Sequence, residues 1–235
     1  MRPAAASTTT TPDLFSRQAC PQRDCPRCER LVDYRRQARE RAPDWFNAPV
    51  PPFGAPEARL LIVGLAPGLQ GANRTGRPFT GDYAGDLLYA TLGEFGFARG
   101  KYAARPDDGL ELVDAAIINA VRCVPPQNKP LPAEMAQCRP FLATAMAEMP
   151  NLGAIVALGR VAHESVVRAV GGRLAAFPFA HGAEFDLTGP NGPVVLLDSY
   201  HCSRYNTNTR VLTPDMFRAV FAHARALLDA SVKRR

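Results

Sequence analysis

The apolar positions of this chain gather in four short runs, Leu60–Gly64, Ala115–Ala120, Ala154–Leu158 and Val194–Ser199. Each is continuous rather than alternating, which suits strands covered on both faces, as in a parallel sheet. Between the runs the apolar spacing becomes helical and predicts helices over Asp82–Phe97, Pro132–Met149, Val161–Val170 and Pro214–Ser231. Start signals agree: Thr213 precedes Pro214, Pro132 opens its helix, and Gly159 supplies a turn after the third strand. Ahead of the first strand, residues 29–41 carry Leu31, Val32 and Tyr34 among charges and predict a short amphipathic helix; Asp44 to Pro56 is a proline-rich connection. No internal repeat is present. The pattern predicts an α/β fold, a three-layer αβα sandwich with a four-stranded, mainly parallel sheet and a cysteine-bearing N-terminal extension. Residues 1–16 read as a flexible tail and 17–235 as a single domain.

Composition narrows the class. No apolar run approaches the roughly 20 residues that span a bilayer. The N-terminal residues lack an apolar h-region, so no secretory signal is read there and a cytoplasmic protein is expected. Six cysteines in such a chain suit metal ligation better than disulfides. The formal charge is +6, and only three of the 28 basic residues, Lys101, Lys129 and Lys233, are lysines. Arginine forks match phosphate oxygens, so a polyanionic partner fits, although charge alone decides nothing. The basic residues within 27–41 and 233–235 serve equally well as phosphate contacts or as solvated surface.

The unusual residues lie in loops after the strands, at 64–85, 119–131 and 199–213, where open α/β sheets bind ligands. The first loop is rich in glycine but is no nucleotide cradle. Its glycines at 64, 68 and 71 do not make G-x-G-x-x-G, and Gly76 is followed by Arg77 and Pro78 instead of Lys and Ser/Thr. It offers instead an aromatic, Phe79, and a carboxylate, Asp82, whose plain alternatives are core packing and a helix N-cap.

Cys25 and Cys28 form Cys-x2-Cys; Cys123 follows after 94 residues, and Cys138 after a further 14. Four thiolates can hold zinc or an iron–sulfur cluster, and ligand type does not separate these. The plain alternative is that Cys123 and Cys138 are buried apolar cysteines. Cys20 and Cys202 are placed outside the metal set.

Together the segments CPRCERLVDYR (25–35), GLAPG (64–68), NRTGRPFTGD (73–82), NAVRCVPP (119–126) and HCSRYNTNTRVLTPDMF (201–217) resemble the iron–sulfur uracil-DNA glycosylases, most closely family 5, the UDGb type. They span about four-fifths of the chain, in the family order. The resemblance implies a [4Fe–4S] cluster on Cys25, Cys28, Cys123 and Cys138 and excision of damaged bases from DNA. It implies base-binding roles for Gly64, Leu65, Ala66, Phe79 and Asn119. It implies DNA contacts from Asn73, Arg74, Ser203, Arg204, Asn206 and Asn208. Two departures stand out. Family-4 relatives carry an acid directly after the first loop glycine, where this chain has Leu65, which places it with family 5. Members usually have proline after the loop histidine, where this chain has Cys202.

The chemistry follows. A base in duplex DNA must be flipped out before it is reached. Phe79 is the expected stacking partner, and the Asn119 amide can read a pyrimidine edge with a donor and an acceptor. Cleaving the N-glycosidic bond makes an oxocarbenium-like sugar and an anionic base. Ionised Asp82 is expected to stabilise the first and orient a water; His201 is expected to hydrogen-bond the second. No lysine falls in the motifs, so a monofunctional glycosylase is expected. The family-5 resemblance implies uracil and deaminated purines such as hypoxanthine as substrates, and a monomer is expected. The competing readings are a strictly uracil-specific family-4-like enzyme and a non-catalytic iron–sulfur DNA-binding protein.

Overall fold

The computed structural model describes residues 15–232. In chain order the elements are α1 (Glu29–Arg41), β1 (Phe53–Gly54), β2 (Leu60–Gly64), α2 (Ala72–Thr75), α3 (Tyr83–Glu94), β3 (Ala98–Arg99) and β4 (Glu111–Leu112). They continue as β5 (Ala115–Asn119), α4 (Pro132–Ala147), β6 (Ala154–Leu158), α5 (Arg160–Ala169), β7 (Glu184–Gly189), β8 (Gly192–Ser199), α6 (Arg204–Asn208) and α7 (Pro214–Val232). The main sheet has the order β1-β5-β2-β6-β8-β7; β3 and β4 form a separate ribbon.

The four expected strands are the parallel centre, β5-β2-β6-β8. The sheet itself is six-stranded, because β1 and β7 add antiparallel edges. Sequence reasoning missed both for a physical reason. β1 is two residues long and sits in the proline-rich connection. In β7 most residues remain exposed or half-buried, so it lacks a continuous apolar run.

Alternate residues of each central strand face opposite layers. Leu60, Ile62, Ile117, Val156 and Leu197 pack with Leu88 and Leu92 of α3 and Phe217 and Phe221 of α7. Leu61, Val63, Ile118, Ile155 and Leu196 pack with Leu142 and Met146 of α4 and Val166 of α5. Both faces are therefore covered, and the αβα sandwich is as expected. Caps also act as read: the Thr213 hydroxyl accepts from the Met216 N–H at 3.2 Å.

Of the expected tail, residues 1–14 lie outside the described residues, as do the basic residues 233–235. Phe15 and Ser16 belong to the body instead. Phe15 is buried in the α4–α5 layer, and the Ser16 N–H donates to Glu148 at 2.9 Å. Among the described residues, no helix is long and apolar enough to cross a membrane.

Candidate active site

The parallel strands end side by side, and their register pairs Gly64 with Asn119. Beyond these ends lies an open pocket of about 410 Å³, lined among others by Leu65, Ala66, Phe79, Asp82, Asn119 and His201. The three loops singled out by sequence thus meet at one place.

Each side chain is fixed by a local device. A Cβ at Gly64 would stand 2.5 Å from the Asn119 Oδ1 and 2.6 Å from the Phe79 ring, so only glycine lets all three share the pocket floor. Phe79 takes a left-handed backbone, φ 52°, which is uncommon for a residue with a side chain. Its carbonyl accepts from the Tyr102 hydroxyl at 3.1 Å, and the preceding Pro78 carbonyl accepts from Tyr89 at 2.6 Å. A Cβ at Gly85 would overlap the same Phe79 carbonyl. Arg77 anchors this segment through a buried ion pair with Asp108 at 2.8 Å.

Asp82 caps α3, its Oδ1 accepting from the Gly85 N–H at 3.1 Å. Burial raises its pKa above the usual carboxylate value; backbone N–H donors at Gly85 and Ala84 offset this only partly. The cap and the pocket carboxylate are therefore one group. His201 follows β8, with its ring 6.0 Å from that of Phe79 and tilted 27° to it. Burial lowers its pKa to about 4, so the imidazole is neutral at pH 7. Asn119 is buried, and its Oδ1 has no hydrogen-bond partner.

The expected DNA contacts divide. Ser203 and Arg204 line the pocket mouth, where the Arg204 guanidinium lies 5.2 Å from the Tyr83 ring. Arg74 and Asn208 are exposed, outside the pocket lining. Asn73 is not a surface contact: it is buried and donates to the Asn47 side chain at 2.9 Å, stitching the glycine-rich loop to residue 47. The Asn206 amide is likewise engaged, donating to the His201 carbonyl at 2.8 Å. Sequence reasoning passed over Tyr83 and Tyr205. The latter is 73% exposed on α6, and its only signal was an aromatic inside a polar run.

Behind Ala66 of the glycine-rich loop, which packs against them, Cys25, Cys28, Cys123 and Cys138 line one small cavity with Leu31, Val121 and Phe141. Cys20 lines a neighbouring cavity beside Cys25. Burial raises all three of the following thiols: Cys28 to about 11, Cys123 to about 12, and Cys138 as well. Among the described residues, no three His, Cys, Asp or Glu are grouped so as to hold a single metal ion. Two buried arginines flank the thiols. The Arg35 guanidinium donates to the Cys123 sulfur at 3.4 Å, and the Arg122 backbone N–H donates to the Cys138 sulfur at 3.3 Å. The Nε of each guanidinium has no partner.

A parallel-centred αβα sandwich with an acid, an amide, an aromatic and a neutral histidine around one pocket defines a class of base-excising hydrolases. The chain belongs to the uracil DNA glycosylase superfamily, whose family model matches residues 51–225; by class it is a DNA glycosylase. It is similar to a type-5 uracil-DNA glycosylase of Thermus thermophilus, 46% identical over 86% of this chain and 93% of that one. It also resembles type-5 enzymes of Mycobacterium bovis, at 41% identity over 86% and 78%, and Pyrobaculum aerophilum, at 38% over 86% and 88%. The type-5 resemblance read from the motifs is therefore shown.

Proposed function

We propose that this protein removes uracil, and other deaminated bases including hypoxanthine, from DNA, leaving an abasic site with the strand intact. The observation that carries this is the Asn119 Oδ1, buried at the pocket floor without a partner. A buried acceptor left unpaired is costly, and the imide N–H of a flipped uracil is the donor it lacks. The amide N–H₂ of the same side chain then suits the neighbouring carbonyl of the base.

The steps follow from the groups present. Flipping costs a few kcal/mol; the exposed Tyr205 ring fills the vacated stack while Arg204 meets a phosphate. The base lies against Phe79. As the glycosidic bond stretches, ionised Asp82 stabilises the sugar cation and directs a water to it. The neutral His201 N–H stabilises the anionic base oxygen without proton transfer. The lining residues include no lysine to form a Schiff base, which supports a monofunctional enzyme. The protein acts as a monomer in the cytoplasm.

Cys25, Cys28, Cys123 and Cys138 would hold a [4Fe–4S] cluster. The all-sulfur donor set around one cavity and the orphaned guanidinium Nε of Arg35 in its lining fit that group. When bound, it would tie residues 25–28 to Cys123 beyond β5 and to Cys138 within α4, and would supply no step of base removal.

The test is base release from duplexes containing uracil, hypoxanthine or no lesion, followed by alkaline cleavage of abasic sites. Cleavage is expected at lesions only, with no covalent complex trapped by borohydride. Absence of release from every lesion overturns the proposal, and a trapped complex overturns its monofunctional part.

A further inference from the structure

Arg35 and Arg122 stand apart from the other arginines. Both are buried, at 3% and 1% exposure. The third buried arginine, Arg77, is answered by Asp108, and even the half-buried Arg59 and Arg30 have Asp114 and Glu134. Among the described residues, neither Arg35 nor Arg122 forms an ion pair with a carboxylate. Exposed Asp24 feels Arg35 but is bonded to Arg39. The guanidiniums are held by carbonyls instead, Arg35 by that of Cys25 at 3.1 Å, and Arg122 by those of Ala19 and Val50 at 3.1 and 3.3 Å. Neutral dipoles do not balance a buried ion, and an uncompensated charge in a dry site is strongly unfavourable.

The missing anion is at hand. Four thiolates around the dicationic core of an oxidised [4Fe–4S] cluster leave two surplus negative charges. The Arg35 guanidinium lines the four-cysteine cavity, and that of Arg122, whose backbone N–H meets the Cys138 sulfur, is within electrostatic reach of Cys138 and Cys123. We infer that Arg35 and Arg122 are the fixed counter-charges of the four-cysteine centre, and that Arg35, through its bond to Cys123, governs how firmly the cluster is held and how readily it takes an electron. The inference rests on the cluster reading above and extends it to residues that are not ligands. A cation and a hydrogen-bond donor beside a ligating sulfur stabilise the more negative, reduced state and so raise the potential.

The experiment compares wild type, Arg35→Met, Arg35→Lys and Arg122→Met, all purified anaerobically as full-length chains. The readouts are iron and sulfide per chain, the decay of visible cluster absorption in air, and the reduction midpoint by film voltammetry. Arg35→Met is expected to lose absorption about tenfold faster than wild type and to show a lower midpoint, with Arg35→Lys between them. Arg122→Met is expected to hold less iron. Arg36→Met removes an exposed arginine on the same helix and is expected to match wild type, separating buried charge from net charge. Identical decay and midpoint in wild type and Arg35→Met overturn this inference while leaving the cluster in place. Wild type that carries neither iron nor sulfide overturns the cluster reading, and this inference with it.

Discussion

The Cys202 thiol donates to the Ala84 carbonyl at 3.6 Å. Cys202 follows His201, and Ala84 lies in the first turn of α3, the helix capped by Asp82. One buried contact thus couples the loop bearing the histidine to the helix bearing the carboxylate. Cys202→Ala removes the sulfur from a site with no exposure, at a cost of about 1 kcal/mol. Thermal unfolding should shift down by roughly 2–4 °C, and kcat should fall while the His201 ring remains in place.

Asp82 sets a trade between stability and chemistry. Its folded pKa is raised by burial, so the folded state binds a proton more tightly than the unfolded state. Stability contributed by the protonated form is therefore lost as pH rises from the ordinary value of 3.8 through the folded value. Asp82→Asn keeps the cap acceptor and removes the buried charge. The variant should be more stable than wild type at neutral pH in urea unfolding, yet slower by about a hundredfold or more in base release. In wild type the acid limb of kcat should sit above 3.8.

His201 runs the opposite way. Its pKa is depressed from 6.5 to about 4, so the unfolded chain takes up the proton first as pH falls. Stability from the neutral ring is complete above 6.5 and declines between there and about 4. An NMR titration should place the ring's midpoint near 4, and His201→Ala should reduce kcat by on the order of 10²–10³.

Gly64→Ala tests the shared pocket floor. The new methyl meets both the Asn119 amide and the Phe79 ring, displacing the groups that receive the base. A loss on the order of a hundredfold in kcat/KM is expected, with circular dichroism unchanged.

Arg77→Leu tests the support beneath Phe79. The Asp108 side chain is 1% exposed, and its pKa is held well below the usual range by the Arg77 guanidinium. Leaving that carboxylate alone should cost roughly 3–5 kcal/mol, measured by urea denaturation. The double variant with Asp108→Leu should recover part of it.

The central strands and five longest helices were legible because burial on two faces writes continuous apolar runs and burial on one writes a helical period. The single turns α2 and α6 write neither. They form because Asn73 and Asn206 bond across to residues 47 and 201. For the same reason the motif segments gave the right neighbourhood but not the direction of each amide: Asn119 faces the pocket, whereas Asn73 and Asn206 are spent on scaffold. Arg122 carried no signal of its role, since a cation at the end of an apolar run reads as a surface residue. Only the fold reveals that it is enclosed.

The two edge strands carry a consequence for handling the protein in concentrated solution. An open strand edge templates pairing with another molecule unless it is short, charged or bent. Here one edge is the two-residue β1, and the other is β7, which keeps Glu184 and Asp186 exposed. Glu184 is further tied to His223 of α7 at 2.6 Å. The sheet is therefore closed to extension at both ends, a guard against fibre growth built into the segments with the weakest strand signal.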